Sequence, residues 1–132
     1  MKLLHIFVSI VFLINISMAK DLILTKKVDF DIGTKSVTLH GGIQKFEKTN
    51  YQFYANKGDT IHVSLNASKA HFNIYSPYKE NSNSPIFSGK IEGKKYTGVL
   101  SKSGIYTVQV YSLNDASIKE NRILYTLHIN MD

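Results

Sequence analysis

Cysteine is absent from the 132 residues, which excludes disulfides, thiolate zinc sites, iron-sulfur clusters, cysteine nucleophiles and lipidation at a bacterial lipobox. Proline is scarce, at two residues, and the eight glycines follow no period, so the chain is neither collagen-like nor compositionally disordered. Arginine occurs once, as Arg122, and no basic run exceeds two residues. Groove readers cluster arginines and stacking readers interleave aromatics with them, so nucleic acid is not an expected partner. No apolar run approaches the roughly 20 residues of a membrane-spanning helix. The length supplies one core and excludes multidomain enzymes and large barrels. With 43% hydrophobic and 20% charged residues, the composition is that of a globular domain.

The first stretch reads as an address. Lys2, the apolar run from Ile6 to Ile14 broken only by Ser9, and the small residues of Ser17-Met18-Ala19 at positions −3 and −1 predict a signal peptide over 1–19. Cleavage after Ala19 leaves one domain over 20–132, exported to the periplasm without a stable membrane anchor. Loss of Lys2 leaves 15 basic against 10 acidic side chains, a net charge of +5. Such a chain meets a cationic partner without favourable long-range steering unless an acidic patch lies at the contact.

Short alternating runs separated by turn residues predict an all-β, antiparallel β-sandwich, jelly-roll-like, of about eight strands. Segments 51–55 and 60–65 flank Asn56-Lys57-Gly58-Asp59, whose glycine accepts positive φ, and read as a hairpin. Residues 70–75 form a further strand ended by Ser76-Pro77, 78–89 a loop, and 96–100 a short strand. After the turn Ser101-Lys102-Ser103-Gly104, Tyr106, Val108 and Val110 point one way and Thr107, Gln109 and Tyr111 the other. The run 122–130, with Tyr125, Leu127 and Ile129 on its apolar face, is the expected antiparallel partner. Val28 with Phe30, and Val37 with Leu39, supply two strands around Gly33-Thr34.

Catalytic signatures are missing: there is no Gly-x-Ser-x-Gly elbow, no phosphate-binding glycine loop and no His-Glu-x-x-His. Asp29-Phe30-Asp31 lacks the further oxygen ligands of a calcium loop and reads as a strand ending in a turn. His62 and His71 fall on polar faces of neighbouring runs and approach each other across a sheet in this reading, but a third zinc ligand is missing. No metal or cofactor is expected. Asn66-Ala67-Ser68 matches a glycosylation sequon by pattern only.

Three segments carry a resemblance: 51–65 (YQFYANKGDTIHVSL), 70–76 (AHFNIYS) and 100–111 (LSKSGIYTVQVY). Together they are similar to the bacterial pre-peptidase C-terminal domain superfamily, a β-sandwich. Ser103-Gly104-Ile105-Tyr106 and Asn114-Asp115-Ala116 further resemble the periplasmic inhibitors of goose-type (g-type) lysozyme, which share Ser-Gly-x-Tyr and a later Asn-Asp-Ala turn. Residues 20–48 contribute little to the likeness. In that family basic residues flank Asn-Asp-Ala, whereas Leu113 and Ser117 stand there in this chain and the cations follow at Lys119 and Arg122.

The resemblance implies a non-catalytic protein whose partner is goose-type lysozyme and which blocks the peptidoglycan-cleaving cleft by inserting two adjacent tips. Ser103 and Gly104 would form the first tip. Asn114, Asp115, Lys119 and Arg122 would form the second. Tyr106 is either a further contact or, by its parity with Val108 and Val110, a packed ring whose hydroxyl finds a local partner. The alternative is a carbohydrate- or cell-wall-binding sandwich of the same superfamily, with Tyr54, Tyr75, Tyr78 and Tyr111 stacking on the glycan.

Overall fold

The computed structural model describes residues 22–44, 46–77, 84–113 and 122–132. Along them run β1 (Leu22–Lys27), β2 (Ser36–Ile43), β3 (Glu47–Ala55), β4 (Thr60–Asn66), β5 (Ala70–Tyr75), β6 (Phe87–Ser88), the single-turn α1 (Gly89–Glu92), β7 (Lys95–Val99), β8 (Gly104–Ser112) and β9 (Ile123–Met131). Two sheets form, in the orders β1-β3-β8-β5-β6 and β2-β9-β4-β7. The alternation read in the sequence is what packs them. Tyr106, Val108 and Val110 of β8, Phe72 and Ile74 of β5, Ile61, Val63 and Leu65 of β4, and Leu127 and Ile129 of β9 all enter one core. The β-sandwich is thus the one expected, with nine strands among the described residues.

Three pairings differ from expectation. Strands β3 and β4 are not a hairpin: turn 56–59 carries the chain from one sheet to the other, β3 pairing with β8 and β4 with β9 and β7. Nor is β9 the partner of β8; it lies between β2 and β4 in the opposite sheet. Alternation specifies which face of a strand is buried, and both sheets of a sandwich bury an inner face, so the pattern is silent on sheet membership. The third difference lies at the start. Val28 and Phe30 follow a strand rather than form one, and that strand, β1, runs parallel to β3. All six of its side chains are exposed, so nothing imposes alternation. Phe30 packs edge-on against Phe53, ring centres 5.9 Å apart. Downstream, Thr34 bonds the Asp31 carbonyl through its backbone N–H and its hydroxyl, closing the expected turn.

A polar contact crosses the core. The hydroxyls of Tyr51 (β3) and Tyr125 (β9), both buried, share a 2.6 Å hydrogen bond that ties the two sheets. Burial, reinforced by the Tyr125 hydroxyl, raises the Tyr51 pKa above the ordinary tyrosine value of 10.0. The folded state therefore holds this proton after the unfolded chain has lost it: the stabilisation is intact below about pH 10 and is lost as pH rises past that value. Urea unfolding of wild type should show stability declining above about pH 10, and Tyr51→Phe should flatten that decline. At neutral pH Tyr51→Phe should cost about 1–3 kcal/mol, because the Tyr125 hydroxyl is stranded, while the double phenylalanine variant recovers most of it. Identical alkaline profiles in wild type and Tyr51→Phe would remove this account.

Candidate functional site

Strand directions give the sandwich two ends. Gly104 opens β8 at the first, beside turn 56–59 and Pro77. At the second, β8 finishes, β9 begins, β2 ends and β3 starts.

The Ser-Gly-x-Tyr segment at the first end is occupied internally. The Ser103 hydroxyl oxygen accepts the Lys57 backbone N–H at 2.7 Å. Two backbone bonds of 2.8 Å, Gly58 N–H to the Leu100 carbonyl and Leu100 N–H to the Asp59 carbonyl, clasp this turn to turn 56–59. Gly104 adopts φ +148°, and a Cβ there would lie 2.7 Å from the Pro77 ring. Tyr106 is 1% exposed, and its hydroxyl donates to the Lys102 carbonyl at 2.7 Å. Burial raises its pKa despite that bond. Of the two roles open to Tyr106, the ring is the packed one, and Ser103 and Gly104 shape the entry to β8 rather than project as a free tip.

At the second end the chain leaves β8 through the exposed Leu113 and returns at Arg122; Asn114, Asp115 and Lys119 lie outside the described residues. Because β3 pairs with β8 and β2 with β9, the connections β2–β3 and β8–β9 start and finish side by side. Ser103 and Leu113 flank the nine-residue β8 at its opposite ends. The two expected tips therefore root at opposite ends of β8, and the end of β2 at Ile43 and the start of β3 at Glu47 stand at the end where Leu113 leaves β8. Arg122 joins them: its Nη2 donates to the Gly42 carbonyl at 3.1 Å, and its side chain fills the place a Cβ on Gly42 would need.

Sequence reasoning missed Phe46. At φ +66° and 47% exposed, it holds an aromatic ring at the solvent surface on left-handed backbone, a conformation costing a non-glycine residue roughly 1–2 kcal/mol. Surrounding bonds impose it: Leu22 N–H to the Phe46 carbonyl at 2.8 Å and Glu47 N–H to the Gln44 carbonyl at 3.0 Å. Nothing in the sequence marks a phenylalanine for positive φ.

Among the described residues the outer sheet faces carry polar side chains in isolated pairs and a short row. His40, His62 and His128 share Nδ1 hydrogen bonds with Thr126, Thr97 and Thr38 at 3.2, 3.1 and 2.8 Å. His62 Nε2 lies 3.0 Å from Asp132 Oδ2, so Thr97, His62 and Asp132 follow the order nucleophile, base, acid. With those two side chains 40% and 68% exposed, however, water competes for each bond and the threonine is not activated. A shallow trough of about 310 Å³ lies alongside, lined by Ser64, Lys95, His128 and Asn130 among others. No group of three or more metal-ligating side chains occurs among the described residues.

His71, expected to approach His62, belongs to the opposite sheet. Burial, then the Lys94 and Lys90 charges, hold its pKa below the ordinary histidine value. Tyr111 donates to Asn73 Oδ1 at 3.2 Å, and Asn73 Nδ2 donates to the Tyr75 hydroxyl at 3.3 Å. Both rings are half-buried, Tyr54 on β3 is exposed, and Tyr78 lies outside the described residues.

The chain superposes on the crystal structure of Aeromonas hydrophila PliG, a periplasmic lysozyme inhibitor of g-type lysozyme. The TM-score is 0.75 and the identity 26%, over 85% of this chain and 99% of that one. Salmonella Typhimurium PliG, also a periplasmic inhibitor of g-type lysozyme, gives 0.65 and 25% over 83% and 98%. The pre-peptidase C-terminal domain of Bacillus anthracis collagenase shares the fold, with TM-score 0.51 and 13% identity over 85% and 96%. The structural neighbours are thus the two groups to which the sequence motifs pointed. No protein-family model and no curated protein matches the chain. Among the described residues no helix is long and apolar enough to cross a membrane.

Proposed function

We propose that this chain, built on the architecture of the two PliG proteins, is an exported, non-catalytic inhibitor of g-type lysozyme that acts in the periplasm after cleavage of residues 1–19. The observation that supports this most is the end-to-end match, 85% of this chain against 99% of the Aeromonas hydrophila inhibitor. The Asn114-Asp115-Ala116 motif and the absence of catalytic signatures point the same way.

The inhibitory surface in this reading is the β2–β3/β8–β9 end. A lysozyme cleft presents carboxyl chemistry flanked by sugar subsites. Asn114 and Lys119 carry donors suited to a carboxylate, and Asp115 accepts bonds from backbone N–H groups of a cleft wall. The Phe46 ring fills a sugar subsite. Arg122 acts as a positioning residue, holding the β8–β9 root against Gly42. Ser103, Gly104 and Tyr106 support β8 and do not touch the partner.

Mixing the purified protein with goose-, chicken- and invertebrate-type lysozymes and following cell-wall lysis tests the proposal. Loss of goose-type activity near equimolar ratio is the expected result, and no inhibition of any lysozyme at large excess would end it. Asp115→Ala should raise the inhibition constant at least about tenfold, or about 1.4 kcal/mol, without moving the melting temperature. Ser103→Ala should leave inhibition intact. The reverse pattern would transfer the contact to the other end of β8.

A further inference from the structure

We propose that the trough on the outer face of the β2-β9-β4-β7 sheet binds an oxyanion, a carboxylate, phosphate or sulfate group, held by Lys95, Ser64 and His128 and strengthened by a proton on His128. Strand register builds the site. Because β4 pairs with β9 on one side and β7 on the other, two rows of three side chains cross the sheet. Asn130, His62 and Thr97 make the first row, and His128, Ser64 and Lys95 the second. These positions alternate with the core residues Ile61, Val63, Leu65, Leu127 and Ile129, so both rows stand on the outer face. All six side chains line the trough, whose volume of about 310 Å³ falls at the lower end of the roughly 300–1,000 Å³ of ligand sites.

The two rows differ in what they offer a ligand. In the first, His62 is committed: Nδ1 shares a 3.1 Å bond with Thr97, and Nε2 donates to Asp132 Oδ2 at 3.0 Å. A proton gained on His62 is neutralised by that carboxylate. The second row contains no acid. His128 Nδ1 shares a 2.8 Å bond with Thr38 of β2, so a ligand meets this ring through Nε2. Ser64 is short and half-buried, between longer, exposed side chains on the neighbouring strands. At about 4.8 Å between strands, the His128 and Lys95 backbones lie roughly 10 Å apart. That spacing leaves room over the serine for one small anion, with the hydroxyl beneath it and an ammonium and an imidazole on its flanks.

Charge selects the occupant. None of the residues lining the trough is acidic. Lysine donates and never accepts, and the serine hydroxyl and imidazole N–H donate as well, so the matching ligand is an acceptor of negative charge. Histidine is the side chain whose charge ordinarily changes between about pH 5 and 8. The charged or titratable groups around His128 are His40 on β2, His62 on β4, Lys95 on β7, and Asp132 beyond the end of β9. A proton on His128 sets a second cation across Ser64 from Lys95. The two repel each other until an anion between them is shared, so binding tightens as pH falls. The trough lies toward the start of β4 and the finish of β9, away from the β2–β3/β8–β9 end, and the inference does not depend on what that end binds.

Two-dimensional NMR of the purified protein at about pH 5.5, with chloride exchanged stepwise for sulfate or for acetate at constant ionic strength, tests this. The His128 imidazole and Ser64 amide signals should shift saturably with a midpoint in the millimolar range. Saturation with sulfate identifies a tetrahedral group and saturation with acetate a planar carboxylate, while His71, in the opposite sheet, should follow neither. The saturable binding should weaken about threefold or more at about pH 7.5, and about threefold or more in Lys95→Gln and in His128→Gln. Both side chains are exposed, so each variant should melt within a few degrees of wild type, and either one suffices if the other misfolds. Shifts that rise linearly with both anions, or saturable binding unmoved by these substitutions, overturn the proposal.

Discussion

Tyr106→Ala is expected to lower the free energy of unfolding by about 3–5 kcal/mol, which for a domain of this size moves the melting temperature by more than about 10 °C. The ring is 1% exposed and stacks near-parallel on Phe53, centres 6.4 Å apart and planes 20° apart. Removing it opens a cavity beneath β8, the strand to which both β3 and β5 bond. Tyr106→Phe separates the ring from the hydroxyl. It keeps the stacking and loses the 2.7 Å bond to the Lys102 carbonyl, for about 0.5–1.5 kcal/mol. Urea titrations of the three proteins measure both steps. If Tyr106→Ala left stability unchanged while abolishing lysozyme inhibition, the ring would be a contact and the structural assignment would fail.

Gly104→Ala should cost about 2–4 kcal/mol, combining positive-φ strain with overpacking. The first part arises because φ +148° is a region that L side chains rarely adopt; the second because a Cβ would sit 2.7 and 2.8 Å from two carbons of the Pro77 ring. Pro77 is partly exposed and gives way somewhat, which keeps the effect below that of a buried clash. The functional consequence separates the two ends of β8. Once the loss of folded protein is corrected for, Gly104→Ala should inhibit goose-type lysozyme as well as wild type does, whereas Asp115→Ala should be well folded and a poor inhibitor. Loss of inhibition in a fully folded Gly104→Ala variant would return the Ser-Gly-x-Tyr turn to the contact surface.

The division between stability and contact follows from the directions of four strands. The family resemblance implies that Ser103-Gly104 and Asn114-Asp115 form adjacent tips. Ser103 and Leu113 flank the nine-residue β8, which at about 3.3 Å per residue puts the roots of the two segments roughly 30 Å apart. The strand ends that share the end of Leu113 and Arg122 are Ile43 of β2 and Glu47 of β3, some seventy positions earlier in the chain. Phe46, between those ends, has no local signature because what holds φ at +66° is the Leu22 N–H bond to its carbonyl and the Glu47 N–H bond to the Gln44 carbonyl around it.

Local chemistry was enough for the all-β class and for the inner face of each buried strand. It was also enough to allow Tyr106 a packed role and to exclude cysteine chemistry and the familiar catalytic motifs. Those properties depend on residue type and on a period of two, which a chain displays wherever one face is wet and the other dry. Tertiary structure alone decided that β3 and β4 belong to different sheets, that β9 rather than β8 lies beside β2 and β4, that β1 runs parallel to β3 as the outermost described strand of its sheet, and that Arg122 bonds the Gly42 carbonyl. The physical reason is the same in each case. Strand pairing is set by which segments meet across space, and backbone hydrogen bonds are indifferent to the side chains they carry past one another.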